Sequence, residues 1–262
     1  MKKHFPNTLT CCNLLSGCFA VLAALGQDYP LALLFIVIGA VFDFFDGFAA
    51  RLLHVSSPIG KELDSLADNI TFGLAPAAIV FSLMRTCTDA CATANGAACA
   101  ALFGAQATTG CCPLSSALAS PIGGWLPYAA FLISAFSALR LAKFNLDERQ
   151  TTSFIGLPTP ANALFWAAVA YGLGKGAIPA PSPAPLFVLL LAGTLLSCFL
   201  LVSEIPMFAL KFKSYGWRGN ELRFTFVAVS AVLLVLWGVV AFAPIIVLYV
   251  LVSVANNLFS RK

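Results

Sequence analysis

Long unbroken runs of apolar residues, separated by short polar stretches, set the pattern of this 262-residue chain. None alternates with the period of two that a barrel strand requires, so the need to satisfy every backbone polar group in lipid selects helices. A helix needs roughly 20 apolar residues to cross a ~30 Å hydrocarbon core. Eight stretches approach that length, at about 8–26, 31–50, 63–84, 124–143, 158–174, 184–204, 223–241 and 243–258. The pattern predicts an all-α, polytopic membrane helical bundle of about eight transmembrane helices. It forms one domain over 1–262, since no linker is long enough to divide it. Polar Asn7, Thr8, Thr10 and Asn13 interrupt the opening apolar run, which argues for a retained first helix over a cleaved leader.

Composition narrows the class further. The chain is 60% hydrophobic and 10% charged, and its mean hydropathy of +0.91 excludes an ordinary soluble domain. With the N-terminus inside, Lys2, Lys3, Arg51, Lys61, Arg140, Lys143, Arg149, Lys211, Lys213, Arg218, Arg223, Arg261 and Lys262 fall on the cytoplasmic side; only Arg85 and Lys175 fall outside. This bias predicts a multi-pass protein of the cell inner (cytoplasmic) membrane with both termini in the cytosol. The net charge of +4 is then a property of the inner face. It suits anionic lipid headgroups in the bilayer and gives no reason to invoke nucleic acid.

Of the nine cysteines, Cys11, Cys12, Cys18 and Cys198 lie in apolar runs, where a small apolar filler is the plain role. Cys87, Cys91, Cys99, Cys111 and Cys112 fall in or beside the 86–122 connection, which the topology places outside. Five cysteines allow two disulfides with one left over, in pairings that the sequence leaves open. No histidine is near them, and their spacing matches no zinc pattern.

The chemistry concentrates between residues 43 and 68. Asp43, Asp46, Asp64 and Asp68 stand in or beside membrane-like segments, where an aspartate at mid-helix costs about 2.5–3.5 kcal/mol. Residues three or four apart share a helix face, so Asp43, Asp46, Gly47 and Ala50 line one face, and Gly60, Asp64 and Asp68 another. A turn at Ser56-Ser57-Pro58 can fold the two faces together. Clustered carboxylates repel unless cations neutralise them, and hard oxygen ligands without His or Cys select Mg²⁺ or Mn²⁺. Two such ions clamp the oxygens of an in-line phosphoryl displacement. Gly47 and Ala50 leave room for a base or a phosphate, and Arg51 adds a fixed cation.

These residues spell D-x2-D-G-x2-A-R-x8-G-x3-D-x3-D, which resembles the signature of the CDP-alcohol phosphatidyltransferases at all eight fixed positions. The resemblance implies a membrane helical bundle with a cytosol-facing cavity, a metal pair held by Asp43, Asp46, Asp64 and Asp68, and transfer of a phosphatidyl group from CDP-diacylglycerol to an alcohol with release of CMP. Asn13, Gly47, Ala50, Arg51 and Gly60 are the expected CDP-diacylglycerol contacts. Asp68, the outermost acid of the motif, is the expected general base. The opening PNTLTCCNLLSG and the stretches ELDSLADNITFGLAPA, ALRLAKFNLDERQTTSFIGLPTPANA and VSEIPMFALKFK are similar to the phosphatidylserine synthases of the bacterial membrane type. That similarity implies L-serine as acceptor.

A serine acceptor brings a carboxylate that needs an anion binder. Arg140, one turn deeper than Lys143, is the candidate, with Asn145 and Thr71 as further expected serine contacts; plain membrane anchoring is the competing role for this basic pair. The Gly156-Leu157-Pro158-Thr159-Pro160 run reads as a helix start with proline in its first turn. A sibling transferase using glycerol 3-phosphate or inositol phosphate is the near alternative. A cation transporter is the remote one: it would place the acids near mid-membrane within an internal repeat, and no repeat is visible. A homodimer is left open.

Overall fold

The computed structural model describes residues 4–55, 57–92, 118, 123–146, 154–207 and 220–260. The first two helices, α1 (His4–Leu25) and α2 (Tyr29–Leu52), form an antiparallel hairpin. Gln27 turns the chain with φ +62°. Asp28 then caps α2 by accepting from the Leu31 amide at 3.1 Å, satisfying a donor that the first helical turn would leave free. At the far end of α2, His54 adopts φ +50°. Ser57 caps the next helix through the Gly60 amide at 3.0 Å, with Pro58 in the first turn.

That next helix runs as α3 (Pro58–Asp68), a π-helical turn over Asn69–Leu74, and α4 (Ala75–Ala92). It is the central element: its most apolar window is 83% buried inside the protein, against 22–39% for the other candidate spans. The π turn begins immediately after Asp68 and carries Thr71 into the α1–α2 hairpin. Thr71 is fully buried and donates to the Asn13 carbonyl at 3.0 Å. Gly17 and Gly39 face it, and a β-carbon on Gly39 would lie 2.5 Å from Thr71 Cγ2 and 3.0 Å from Asn13 Oδ1.

A 3₁₀ turn (Leu126–Phe131) leads into α5 (Leu132–Leu146), followed by α6 (Thr159–Gly174) and α7 (Pro183–Val202). A two-residue antiparallel ladder, β1 (Phe154–Ile155) with β2 (Pro206–Met207), ties the start of α6 to the end of α7; it is the sole departure from all-α structure among the described residues. Gly156, at φ +74°, donates to Ile205 O at 2.9 Å and packs against the carbonyls of Leu200, Leu201 and Ser203. Only glycine adopts that backbone readily with such neighbours. Two last helices, α8 (Glu221–Trp237) and α9 (Phe242–Ser260), follow.

Six stretches are long and apolar enough to cross a membrane: 5–25, 29–52, 58–91, 123–146, 183–202 and 221–257. The expected eight differ from this count in two places. The 158–174 stretch makes a helix of only 16 residues, about 24 Å long at 1.5 Å per residue. The last two expected spans join as one apolar stretch, which bends back at Gly238, φ +56°. Phe226 and Tyr249 consequently lie with ring centroids 5.9 Å apart, where a straight helix would separate them by about 34 Å. The third expected span also ends later than 84, because helix continues to Ala92. Cys87 and Cys91, expected in the loop, therefore occupy its last turns. Cys99, Cys111 and Cys112 lie outside the described residues, as do Lys2, Lys3, Ser56, Arg149, Lys211, Lys213, Arg218, Arg261 and Lys262. Large apolar side chains such as Leu22, Phe44, Leu189, Phe199, Val235 and Leu251 stand exposed on the outside of the bundle, as a lipid-facing surface requires.

Gly39→Val should lower the thermal midpoint in detergent, because overpacking a tight contact costs about 1–3 kcal/mol. Gly47→Ala, whose β-carbon meets nothing within 4 Å, should leave it unchanged. Equal midpoints for the two variants would contradict the packing role of the Gly39–Thr71 contact.

Candidate metal and nucleotide site

Asp43 and Asp46 project from the second half of α2, and Asp64 and Asp68 from α3. Asp43, Asp64 and Asp68 each offer one oxygen within 4.8 Å of the others. Asp46 is held beside them by α1: Thr10 donates to Asp46 Oδ2 at 2.6 Å. From the same helix, Asn13 donates to Asp68 Oδ1 at 3.1 Å. Asn7, Thr10 and Asn13 recur every third residue, so one polar stripe of an otherwise apolar helix positions acids on both neighbours. Asn7 Oδ1 lies 3.2 Å from where a Gly60 β-carbon would stand, so Gly60 lets α3 approach this stripe.

Two observations show that this arrangement fits divalent cations. No Lys or Arg among the described residues forms an ion pair with any of the four acids; the ion pair seen there is Arg85–Asp89, exposed on α4. Carboxylate oxygens within 4.8 Å of one another repel by on the order of 3 kcal/mol per pair even at an effective dielectric constant near 20. In addition, Asp64 Oδ1 is buried without a hydrogen-bond partner, and a buried acceptor left so costs about 1–3 kcal/mol. The donor set is all oxygen, which suits Mg²⁺ or Mn²⁺. Asp43, Asp64 and Asp68 form the close group, while Asp46, expected as an equal ligand, sits next to it in its hydrogen bond with Thr10.

Beside the acids opens a cavity of about 240 Å³. Asn7, Thr10, Asp46, Gly47, Ala50 and Gly60 are among its lining residues. Gly47 presents bare backbone to open space, so any larger residue would project into the cavity. Arg51 is exposed at the end of α2 and is not among the lining residues. Asn13 is fully buried behind the acids.

The expected acceptor contacts are dispersed. Arg140 is buried on α5, its Nη1 donating to Thr159 Oγ1 at 3.4 Å, and it lies within electrostatic reach of Asp68. Asn145 instead ties α5 to α3, donating to Ser65 Oγ at 2.8 Å while its carbonyl accepts from Lys61 Nζ at 3.2 Å. Thr71 is enclosed by α1 and α2, as described above. Three polar residues near Arg140 carried no role in the sequence reading: Asn69, Ser137 and Asn162. The signal for Asn162 was a lone amide in the apolar run TPANALFWAAVA; that for Asn69 was its place directly after Asp68.

A family model described as CDP-alcohol phosphatidyltransferase matches residues 3–210. The chain is 33% identical over 158 residues to the CDP-diacylglycerol--serine O-phosphatidyltransferase of Bacillus subtilis (strain 168), covering 60% of this chain and 70% of that protein. It is 30% identical over 162 residues to the protein of the same name from Helicobacter pylori (strain ATCC 700392 / 26695), covering 61% and 54%. Over 87 residues it is 42% identical to the one from Saccharomyces cerevisiae (strain ATCC 204508 / S288c), covering 30% and 32%. The matched region thus spans about half or less of several of these relatives.

Asp43→Asn and Asp64→Asn should each weaken Mn²⁺ binding at least tenfold, measured by electron paramagnetic resonance on the purified protein. Thr10→Val removes no ligand but frees Asp46, and loss of such a supporting hydrogen bond costs about 10–100-fold in metal affinity or activity. Unaltered Mn²⁺ affinity in both aspartate variants would rule out the acidic group as the metal site.

Proposed function

The chain belongs to the CDP-alcohol phosphatidyltransferase family, and we propose that its reaction is transfer of the phosphatidyl group from CDP-diacylglycerol to L-serine, giving phosphatidylserine and CMP. The observation that carries this reading is the convergence of carboxylates from α2 and α3 at the edge of an open cavity walled by Gly47, Ala50 and Gly60. Serine as the acceptor is supported by the names of the relatives, at about 30% identity, and by one buried cation, Arg140, near the acids.

Asp43, Asp46, Asp64 and Asp68 would hold two divalent cations, Mg²⁺ or Mn²⁺, which when bound supply Lewis-acid polarisation and charge neutralisation of a pyrophosphate. Gly47, Ala50 and Gly60 give the nucleotide end of CDP-diacylglycerol room beside Thr10 and Asn7, and Arg51 at the rim offers a cation to its phosphates. Asn13 holds one oxygen of Asp68 and leaves the other to take the proton of the serine hydroxyl. The serine oxygen forms a bond to the phosphorus that carries diacylglycerol. The bond from that phosphorus to the bridging oxygen breaks, and its electron pair leaves with CMP. Arg140 receives the serine carboxylate. Ser57 lines the same cavity, but its Oγ is engaged in capping α3 through the Gly60 amide, and displacement in this reading is direct.

The Gly238 bend and the short α6 complete eight crossings in this reading. Both termini then lie in the cytosol, and the acids open toward it, with the bundle in the cell inner membrane. The soluble acceptor arrives from that side, and the two-tailed donor arrives from the bilayer.

Release of CMP from CDP-diacylglycerol should be fastest with L-serine when serine, glycerol 3-phosphate and inositol phosphate are compared. Preference for either phosphate would transfer the assignment to a sibling reaction. Asp68→Asn should lower kcat by about 10²–10⁴-fold, the usual contribution of a general base, while CDP-diacylglycerol still binds; loss of Mn²⁺ binding in the same variant would make Asp68 a ligand only. Arg140→Ala should raise the serine KM far more than the CDP-diacylglycerol KM, and an equal rise in both would make Arg140 an anchor.

A further inference from the structure

Behind the acids, the interior between α5, α6 and the π turn contains polar side chains that the packing leaves without partners. Asn162 on α6 is fully buried, and neither its amide nitrogen nor its amide oxygen makes a hydrogen bond. Ser137 on α5 is likewise fully buried with Oγ unpartnered. One turn along, Arg140 is 8% exposed, and its Nε makes no hydrogen bond. The Oδ1 of Asn69 is unpartnered too.

Asn69 and Ser137 meet at the π turn, and Arg140 reaches the helix that carries Asn162. A β-carbon on Gly73 would lie 2.6 Å from Asn69 Oδ1 and 3.0 Å from Ser137 Cβ, so the π turn and α5 meet there. Arg140 reaches α6 at Thr159, three residues before Asn162 and so on the same helix face. Each unpaired buried group destabilises the fold, and a lipid-embedded bundle has no water at its sides to offset that cost. Several such groups at one place describe a receptor whose ligand supplies the missing partners.

The unpaired atoms specify the ligand's chemistry. Arg140 Nε and Asn162 Nδ2 are donors, and the guanidinium charge favours an anionic acceptor. Asn162 Oδ1 and Asn69 Oδ1 are acceptors, able to receive an ammonium donor. Arg140 is a single positive charge with Asp68 in electrostatic reach, a balance that matches a neutral zwitterion and leaves a phosphate dianion under-compensated. We propose that Asn162, with Ser137 and Asn69, completes around Arg140 a receptor for the ammonium and carboxylate of an α-amino-acid acceptor. Asn162 is the residue that separates such an acceptor from alcohols bearing one charged group or none. The proposal rests on the reading of serine as acceptor.

The test uses the purified full chain with Mn²⁺ and CDP-diacylglycerol. L-serine, ethanolamine and 3-hydroxypropionate are each assayed as acceptors and as competitors of serine. Asn162→Ala should raise the serine KM at least tenfold and shrink the preference for serine over ethanolamine at least tenfold, while the CDP-diacylglycerol KM changes less than twofold. Ser137→Ala should move the same preference about threefold, and with Asn162→Ser it keeps the test open should Asn162→Ala fail to fold. An unchanged preference in variants that retain the CDP-diacylglycerol KM overturns the receptor and leaves the serine assignment standing. Absence of serine-dependent CMP release in the unmutated protein overturns both.

Discussion

Like charges brought together where water is scarce set the terms for everything else in this bundle. Three carboxylates from two helices meet, with a fourth alongside and no Lys or Arg among the described residues paired to them, and their mutual repulsion must be countered by structure until cations arrive. The counterforce is local. Thr10 and Asn13 on α1 each hold one acid, and Thr71 locks the π turn behind Asp68 to the Asn13 carbonyl. A single helix therefore braces both acidic helices, and the glycines at 17 and 39 let the three backbones come close enough for those bonds to form.

The π turn explains how one continuous helix can serve two purposes. A helix of 3.6 residues per turn that displayed Asp64 and Asp68 on one side would continue that same face into the core. The wider turn over 69–74 changes the helical register between the acids of α3 and α4, whose first ten residues are all buried. π turns are frequent at functional sites for this reason. Asn69 and Thr71 lie within it and point polar groups to different neighbours, one toward Ser137 and one toward α1.

Much of this was legible in the residue pattern. The spacing of Asp43, Asp46, Asp64 and Asp68 announced two faces, and the structure brings one oxygen from each of three of them within 4.8 Å of one another, with Asp46 alongside. Helix periodicity also placed most apolar segments. The count of crossings was harder, because α6 is short and because the bend at Gly238 depends on a positive φ inside an otherwise continuous apolar run. Side-chain pairing was least legible. Nothing in the local sequence indicates that Asn145 pairs with Ser65, or that Thr71 turns toward α1, because these contacts join residues 80 and 58 positions apart. Asn162 reads as an oddity in an apolar run until the π turn is packed against its helix.

The separation of the two halves along the chain has a consequence for biogenesis. The acids and their braces all lie between Asn7 and Thr71, whereas Arg140 and Asn162 come much later. At a synthesis rate of about 5–20 residues per second, the gap between Asp68 and Asn162 corresponds to about 5–20 seconds. A nascent chain in the membrane thus holds the four acids and the α1 residues that brace them before the helices bearing Arg140 and Asn162 exist.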